Sequence, residues 1–481
     1  MIATARRLAV ASAILFAASC ATIDSTPDAP SITQQDRSQA AQTHPQLLQQ
    51  LGGAVEGPAA AYVAGVGERI ANAAGVPGQC TFTLVNSDVP NAFAIPGCYI
   101  YVTRGILALM NSEDELASVL GHEIGHVVAD HSARRQNTAT LTGLGAILAG
   151  ILTGSGEIAQ AASQAAQLLT LSYSRDQEFE SDDLGVRYLQ RAGYNPYASA
   201  DLLRSLGMQE ALSARIANRD AASATPSWAR THPLSADRVT RATAQAAGAG
   251  ATPGNPPERV DPYFAAIDGM IFGDDPEQGF VNGRTFAHPT LRIAFEAPQG
   301  FTLTNTPTAV LIGGPNNLRA QFGASALQGD LGAHASAGLR QVLGETPAQV
   351  AEVQRSTTNG LETATATARA QTQSGVVDVA VTAYRVGERA YHFISLAPAG
   401  NLNTFSPMIR SFRTLSTQEA AALRARVLDI VQVRSGETAQ SIAQRMAYPD
   451  YQLERFLVLN GREANEPLRA GEQVKIVVYQ R

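Results

Sequence analysis

The most regular hydrophobic pattern of the chain lies between residues 111 and 128. Apolar residues recur there at the three- and four-residue intervals of one helix face, which predicts an amphipathic helix with one buried stripe. These residues are Leu116, Val119, Leu120, Ile124 and Val127. The segment just before them, 111–115, holds Asn and Ser cap candidates and three acidic residues, which are favoured in the first turn of a helix.

A second helix is predicted for about 174–191 and a strand for Tyr99–Thr103. The strand residues have strong β character and follow a Pro-Gly turn. We expect this strand at the edge of a small sheet, in a segment that begins with Asn91, Ala92 and Phe93 and can pair with an extended peptide through its backbone. The alternative is a strand that is paired on both sides inside the sheet.

Length and composition indicate several domains. With 481 residues and 45% hydrophobic content, the chain is too long for one core and is expected to hold about three domains. A stretch rich in Gly, Ala and Pro at 249–260 predicts a linker. The net charge of −6 offers no basic surface, so no nucleic-acid partner is expected.

Residues 261–418 predict an α+β domain whose role the sequence does not indicate. Alternating segments recur there between Gly, Asn and Pro turns. Strands are expected at 291–295, 310–312, 377–381 and 391–394, and a helix is expected within 339–354. His288 and His392 are expected to be structural rather than chemical.

The last segment, 426–481, predicts a strand, two helices and a second strand. It carries Val-x-x-Gly-x-Thr at 433–438, Asn460-Gly461 and Leu-x-x-Gly at 468–471. These landmarks resemble a divergent LysM module. The resemblance implies binding of glycans that contain N-acetylglucosamine, such as peptidoglycan, and the alternative is a folded end domain without glycan affinity.

The first twenty residues have the features of a secretory signal. A basic pair precedes the apolar run Leu8–Ala18, which is too short to span a bilayer. Cys20 after small residues resembles a bacterial lipobox, in which Cys20 becomes the lipidated first residue; the alternative is a plain secreted form. Ala21 implies, by resemblance to bacterial sorting signals, a periplasmic protein anchored to the outer membrane. Residues 21–44 then predict a flexible tether.

Cys80 and Cys98 are the two cysteines of the mature body. In an oxidising compartment they can pair, and closing a loop of that length contributes roughly 3 kcal/mol in the chain-entropy model. The alternative is two buried apolar thiols.

The first predicted helix carries His122, Glu123 and His126 in the pattern H-E-x-x-H. Residues four apart lie on one face of a helix, so both imidazoles can reach one metal ion. Glu123 lies beside that ion, where it can take a proton from a zinc-bound water of lowered pKa. The pattern predicts zinc-dependent peptide hydrolysis, and the alternative is a surface or capped histidine pair.

A catalytic zinc requires a third protein ligand. An all-histidine set would need a histidine at Ser132, and His131 is one residue out of register, so His131 is expected to make a structural hydrogen bond near the helix end. Glu178 on the second predicted helix is the better candidate. Asp182 follows on the same face and suits a carboxylate that orients a ligating histidine. The alternative is a solvated acidic helix face.

Four blocks of the chain resemble peptidase family M48, the zinc metallopeptidases that include HtpX, the CAAX prenyl proteases and periplasmic lipoprotein proteases. The blocks are Asn91–Gly105, Glu113–His126, Ser174–Asp182 and Thr231–Pro233 with Arg238, and they follow one another in the order of the family between about residues 45 and 245. Cys98 and Ser181 stand where the family typically has Gly and Ala. Neither residue is expected to touch the metal.

The resemblance implies a mainly α, gluzincin-type domain at 45–248 with a small β-sheet and one zinc ion per chain. By resemblance the metal ligands are His122, His126 and Glu178, the base is Glu123, and the supporting residues are Asp182 and Arg238. His232 would steady the oxyanion of the tetrahedral intermediate or occupy the open zinc position and hold the enzyme latent. The alternative is a turn histidine that packs a loop.

These features predict a lipid-anchored periplasmic zinc endopeptidase that cleaves unfolded or misassembled envelope proteins. The apolar run Leu141–Leu152 is expected to pack beside its active site as a helix or hairpin, with a membrane-surface contact as the alternative. The alternative function is a latent or non-proteolytic chaperone or scaffold that binds zinc and peptidoglycan. The intact base and three ligands favour the peptidase.

Overall fold

The computed structural model describes residues 32–134, 173–216, 232, 236–327, 329–372 and 375–481. The predicted signal segment with Cys20 and the apolar run Leu141–Leu152 lie outside the described residues. Among the helices of the described part, none is both long and apolar enough to cross a bilayer.

The N-terminal half of the chain is mainly helical around one small sheet. Its helices are α1 (Gln34–Gln50), α2 (Pro58–Ala73), α3 (Arg104–Leu109), α4 (Glu113–Val128), α5 (His131–Arg134), α6 (Arg175–Arg191), α7 (Ala198–Ile216) and α8 (Ala236–Gly248). Its strands are β1 (Thr81–Val85), β2 (Ala92–Ile95) and β3 (Tyr99–Thr103). Apolar residues of α2, α4, α6, α7 and the sheet share one buried core, which we call the main core.

The strand β3 lies in the middle of the sheet, so the expectation that Tyr99–Thr103 forms an edge is wrong. The order is β1-β3-β2, with β3 parallel to β1 and antiparallel to β2. The two edge strands are β1 and β2, and β2, which begins at Ala92, packs against α4. A disulfide between Cys80 and Cys98 joins the residues that precede β1 and β3.

The helix α1 occupies residues 34–44, which the sequence analysis assigned to a flexible tether. The side chain of Thr33 accepts a hydrogen bond from the backbone N–H of Asp36 and caps the helix. Ala40 and Leu47 are buried in a small cluster with aromatic residues of β2 and β3. The tether prediction failed here because a helix of mostly polar residues is stabilised by a few apolar contacts far along the chain.

The first turn of α4 is held by buried carboxylates whose partners come from distant segments. Glu113 accepts a hydrogen bond from Arg69 of α2 at 2.8 Å. Asp114 accepts one from the backbone N–H of Arg259 at 2.9 Å, and the Arg259 guanidinium also contacts it. The predicted linker 249–260 therefore packs onto α4 and does not hang free between domains.

The helices α4 and α6 approach closely because small residues line their contact. A Cβ added at Gly121 would lie 3.3 Å from the Cα of Gly185, and one at Gly125 would lie 2.7 Å from the Oγ of Ser181. Ser181 also donates a hydrogen bond to the carbonyl of His122 at 2.5 Å. Larger side chains at these positions would separate the two helices.

The next elements after the linker, α9 (Asp261–Ile267) and β4 (Ile271–Phe272), still belong to the N-terminal half. Tyr263, Phe264 and Ile267 are buried in the main core. The predicted boundary at residue 261 is therefore wrong, because these residues complete a core that begins two hundred residues earlier.

Residues 280–422 form a separate β-rich unit, which we call the middle domain. Its strands are β5 (Phe280–Asn282), β6 (Thr285–His288), β7 (Ile293–Glu296), β8 (Thr302–Asn305), β9 (Val310–Gly313), β10 (Arg319–Ala326), β11 (Ala348–Val350), β12 (Gln354–Thr358), β13 (Leu361–Thr372), β14 (Gly375–Val386), β15 (Arg389–Pro398) and β16 (Arg413–Thr414). Its helices are α10 (Leu331–Leu343), the 3-10 helix Leu402–Phe405, α11 (Ser406–Ser411) and α12 (Thr417–Ala422).

The middle domain contains two antiparallel sheets. One follows the order β11-β13-β14-β15-β10-β9-β8, with β12 beside β13, and the other follows β16-β7-β6-β5. The helix α10 packs on β13 and β14. This helix ends at Leu343, so the prediction of a helix within 339–354 is wrong for the residues after Leu343. The strand β11 follows at Ala348.

The C-terminal segment, which we call the terminal module, has the predicted order of strand, two helices and strand. Its elements are β17 (Arg426–Gln432), α13 (Ala439–Ala443), α14 (Gln452–Leu459) and β18 (Gln473–Tyr479). The strand β17 pairs with both β18 and β4. The buried apolar residues of the terminal module belong to the main core. The module is therefore not a separate domain, and the middle domain is an insertion between β4 and β17.

Candidate metal centre

The helix α4 presents His122 and His126 on one face. Their Nε2 atoms lie 3.0 Å apart, and both side chains are buried. Buried positions suit ligands because packing restricts the rotamers of the imidazoles.

The carboxylate of Glu178 reaches the same point from α6. Its Oε2 atom lies 3.6 Å from Nε2 of His122, and its Oε1 atom lies 3.5 Å from Nε2 of His126. A capping box between Ser174 and Gln177 begins α6 and sets Glu178 in the first turn. The close contact between α4 and α6 then brings the carboxylate to the histidines.

His232 is the fourth residue at this point. Its Nδ1 atom lies 2.9 Å from Oε1 of Glu178 and 3.3 Å from Nε2 of His122, and the side chain is fully buried. One ligand atom from each of His122, His126, Glu178 and His232 lies within 4.8 Å of the others. His232 therefore joins the ligand cluster.

The carboxylate of Glu123 is fully buried beside the cluster. Its Oε1 atom lies 3.5 Å from Nε2 of His232. Because Glu123 follows His122 on α4, its carboxylate lies next to the ligands without being one of the four. This is the place that a general base requires.

The outer nitrogen of His122 faces a carboxylate. Oδ1 of Asp182 lies 2.9 Å from Nδ1 of His122. Arg238 of α8 donates two hydrogen bonds to Asp182, at 2.9 and 2.7 Å, and its Nη1 atom lies 2.8 Å from Oε2 of Glu178. Asp182 and Arg238 thus form a layer directly behind the ligands.

The outer nitrogen of His126 is held differently. Nδ1 of His126 lies 2.8 Å from Nδ1 of His131, and Nε2 of His131 lies 3.1 Å from Oε2 of Glu180. The ring of Tyr173 stacks on His126 with centroids 3.6 Å apart. Sequence reasoning expected a structural hydrogen bond from His131 but not its partner, and it missed Glu180 and Tyr173. No local signal identifies them, because their contacts join separate helices.

The protonation states of Glu178 and His126 suit a cation. Burial raises the pKa of Glu178, but the nearby histidines outweigh it and hold the pKa well below its ordinary value. Burial lowers the pKa of His126 well below its ordinary value, which leaves the imidazole neutral near pH 7. An ionised carboxylate and a neutral imidazole are the forms that bind metals. The Nε2 atoms of His122 and His126 lie 3.0 Å apart. The Nδ1 atom of each ring has its own partner on the outer side, so the two Nε2 lone pairs are directed at one point. The residues therefore fit a zinc ion.

Three other residues that the sequence analysis singled out are not part of this cluster. His288 and His392 belong to the middle domain, and burial lowers the pKa of each. Cys98 lies in the disulfide before β3. Thr231 and Pro233 lie outside the described residues.

Two histidines on one turn of a helix, a carboxylate from a second helix and a buried glutamate beside them form the kind of arrangement that metal-dependent hydrolases with the H-E-x-x-H pattern use. Residues 59–246 match the sequence profile of "Peptidase family M48".

Curated relatives of the same region are proteases. The beta-barrel assembly-enhancing proteases of Yersinia pestis and Escherichia coli K12 are 34% and 32% identical to this chain, over 38% and 37% of its length. The mitochondrial metalloendopeptidase OMA1 of Schizosaccharomyces pombe is 30% identical over 38% of this chain and 51% of its own length. The chain spans 37% of the length of each of the two bacterial relatives.

Proposed function

We propose that the protein is a zinc-dependent endopeptidase of the bacterial cell envelope that cleaves unfolded or misassembled proteins. The observation that carries this proposal is the buried cluster of His122, His126, Glu178 and His232 with Glu123 beside it. The family of residues 59–246 supports a peptidase. The names of the bacterial relatives support a role in the envelope.

In this proposal His122, His126 and Glu178 hold the zinc ion. When bound, the ion polarises the scissile carbonyl and lowers the pKa of a water near it. The buried carboxylate of Glu123 takes the proton from the attacking water and passes it to the departing amine nitrogen. Asp182, fixed by Arg238, would accept the outer N–H of His122, which places the lone pair of the ring on Nε2, the atom that would bind the metal.

His232 is proposed to hold the site latent as a fourth ligand. The Nδ1 atom of His232 lies close enough to Glu178 and His122 for one ion to contact all three residues. A catalytic zinc keeps one position open for water. Substrate would therefore have to displace His232, and removing this side chain should activate the enzyme.

Substrate is proposed to bind as an added strand on β2. Among the described residues this strand has β3 as its only strand partner and so forms one of the two edges of the small sheet, and it packs on the helix that carries the proposed ligands. An extended peptide paired with Ala92 and Phe93 uses backbone hydrogen bonds, which favour unfolded segments over one particular sequence. Asn91 lies immediately before this edge and is buried.

The envelope position is proposed from the termini of the chain. Lipidation at Cys20 would anchor the protein to the outer membrane, and a LysM-like terminal module would bind peptidoglycan. The strand, helix, helix, strand order of that module supports the second proposal. The non-proteolytic alternative has no comparable support, since the relatives are named as proteases.

The test is zinc-dependent digestion of unfolded protein. The chain from residue 21, purified with zinc, is incubated with casein and with an unfolded outer-membrane protein, and zinc content is measured by mass spectrometry. We expect one zinc per chain, loss of cleavage on chelation and recovery on adding zinc. His232→Ala should cleave faster than the wild type. Zinc-loaded protein of both forms that cleaves neither substrate would contradict the proposal.

A further inference from the structure

The sole lysine of the chain is buried between the terminal module and the helix that carries the metal ligands. Among the 36 basic residues other than histidine, Lys475 alone is a lysine, and all the others are arginine. Its side chain on β18 has no exposed surface. Lysines are almost never fully buried, so this position requires a specific explanation.

The ammonium group of Lys475 caps the end of α3. Nζ donates to the carbonyl oxygen of Ala108 at 2.7 Å and also to that of Met110. The hydroxyl of Tyr263 donates to the carbonyl of Leu107 in the same turn. A cation at the C-terminal end of a helix satisfies carbonyls that have no partner within the helix.

The residues that Lys475 caps lead directly into the metal-binding helix. Met110 is followed by Asn111 and by Ser112, the N-cap of α4. The side chain of Glu115, in the first turn of α4, accepts a hydrogen bond from the backbone N–H of Asn111 at 3.0 Å. Glu115 is buried as well, and burial raises its pKa; burial lowers the pKa of Lys475, an effect that the Glu115 carboxylate opposes.

The terminal module is fixed firmly around Lys475. The side chain of Asn460 accepts a hydrogen bond from the backbone N–H of Lys475 at 2.8 Å and donates one to its carbonyl at 2.9 Å. The next residue, Gly461, lies so close to α7 and the α3–α4 connection that a Cβ there would meet Ser205 Oγ at 2.9 Å and Asn111 Nδ2 at 3.0 Å. At Gly461 the module therefore approaches α7 and the α3–α4 connection so closely that no side chain fits there.

Arginine cannot replace this lysine without loss. A compact ammonium on a flexible stem can direct donors to two carbonyls of one helix end, whereas a guanidinium is a planar fork that suits carboxylates. A buried charge also costs free energy unless hydrogen bonds compensate it.

We propose that Lys475 is a positioning residue for the metal site, which ties the terminal module to the α3–α4 connection and so fixes the register of α4. His122 lies seven residues after Glu115, about 10 Å along the helix axis. A metal site tolerates misplacement of its ligands by only about 0.5 Å. This inference rests on the proposed function, because it concerns the geometry of the same zinc ligands.

The first test compares Lys475→Met, which keeps the length of the stem, with Lys475→Arg, which keeps the cation. Arg469→Met, an exposed basic residue of the same module, is the matched control. Zinc affinity is measured by chelator competition, and ligand geometry by the visible spectrum of the cobalt(II)-loaded protein. We expect Lys475→Met to bind zinc about tenfold more weakly, with an altered cobalt spectrum, and Lys475→Arg to recover part of the affinity. In turnover, kcat should fall while KM changes little, because β2 is untouched.

A folded Lys475→Met protein with the zinc affinity and cobalt spectrum of the control would overturn the proposal. The zinc measurements also separate this inference from the proposed function. A wild type that binds zinc but cleaves nothing contradicts the peptidase, and the affinities of the variants still decide the role of Lys475.

A second test uses the wild type and does not depend on folding of a variant. Because Lys475 is the only side-chain amine, acylation by an amine reagent followed by peptide mass spectrometry reports its exposure alone. If the module supports the ligands, zinc must in turn stabilise docking of the module, since coupling between sites is reciprocal. We expect zinc to slow labelling of Lys475 about tenfold while amide exchange in α10 of the middle domain is unchanged. Equal labelling rates with and without bound zinc would overturn the proposal.

Discussion

At the scale of single residues, the two histidine ligands differ in what orients them. His122 faces the carboxylate of Asp182 directly, whereas His126 reaches the carboxylate of Glu180 only through His131. With an Nε2–H tautomer, His131 donates to Glu180 and accepts the Nδ1–H of His126. That arrangement leaves Nε2 of His126 free for the metal.

This arrangement predicts that His131→Ala weakens zinc binding about 10- to 100-fold, because His126 loses the partner that sets its tautomer. Glu180→Gln should have a smaller effect, and adding it to His131→Ala should change nothing more, since Glu180 acts through His131. Zinc affinity of both single variants and the double variant measures this. Asp176→Asn, an exposed acid on the same helix, is the control. Additive losses would contradict the relay.

At the scale of elements, the site depends on how closely α4 and α6 pack. His122 and His126 lie on one helix and Glu178 on the other, so the distance between the helices sets the size of the metal site. The glycines Gly121, Gly125 and Gly185 permit this approach. Glycine lowers the helix propensity of both elements, and the close contact explains why it stands there.

Gly125→Ala should push the helices apart. The new Cβ would lie 2.7 Å from the Oγ of Ser181 and 3.1 Å from its carbonyl oxygen. We expect a loss of about 1–3 kcal/mol in the free energy of unfolding and weaker zinc binding. Gly207→Ala in α7 is the control, because a Cβ there meets no atom within 4 Å and should stabilise the helix by up to about 1 kcal/mol. Urea unfolding and chelator competition measure both variants, and equal behaviour would refute the packing argument.

At the scale of the whole molecule, the chain returns to its first domain after building a second one. The strands β4 and β17 pair through Phe272 and Arg426, so the middle domain begins and ends close to the same edge. Apolar residues of the terminal module belong to the main core, whereas the apolar clusters of the middle domain are its own. Two cooperative units are therefore expected.

Calorimetry should show two unfolding transitions, and zinc should raise the midpoint temperature of only one of them. Binding to the native state stabilises the main core by about 4 kcal/mol when free zinc is a thousandfold above its Kd. The terminal module should unfold in the zinc-dependent transition, which labelling of Lys475 at each temperature identifies. A module that unfolds together with the middle domain would contradict the shared core.

Local patterns predicted the metal site better than they predicted the domain boundaries. The spacing of His122, Glu123 and His126 follows from helix periodicity within one short segment, whereas the place of Glu178 beside them depends on the packing of α6 on α4. The docking of Lys475 and the packing of 249–260 depend on contacts between residues hundreds of positions apart, for which no local pattern exists. The helix expected within 339–354 was misplaced because Asp330 caps α10 and Gly344, with φ of 52°, ends it.

The position of β3 within the small sheet likewise could not be predicted from a local pattern. The β propensity of Tyr99–Thr103 is high, and a propensity does not say how many neighbours a strand has. Its place between β1 and β2 is set by the return of the chain from Cys80 to Cys98, which is a tertiary feature.

The most direct test of the central claim is the rate at which zinc-loaded Glu123→Gln cleaves unfolded casein, compared with the wild type at equal zinc content. The substitution keeps the shape of the side chain and removes the base, so zinc should remain bound. We predict that cleavage falls at least about a hundredfold, the usual contribution of a general base. Cleavage at the wild-type rate by zinc-loaded Glu123→Gln would contradict the account.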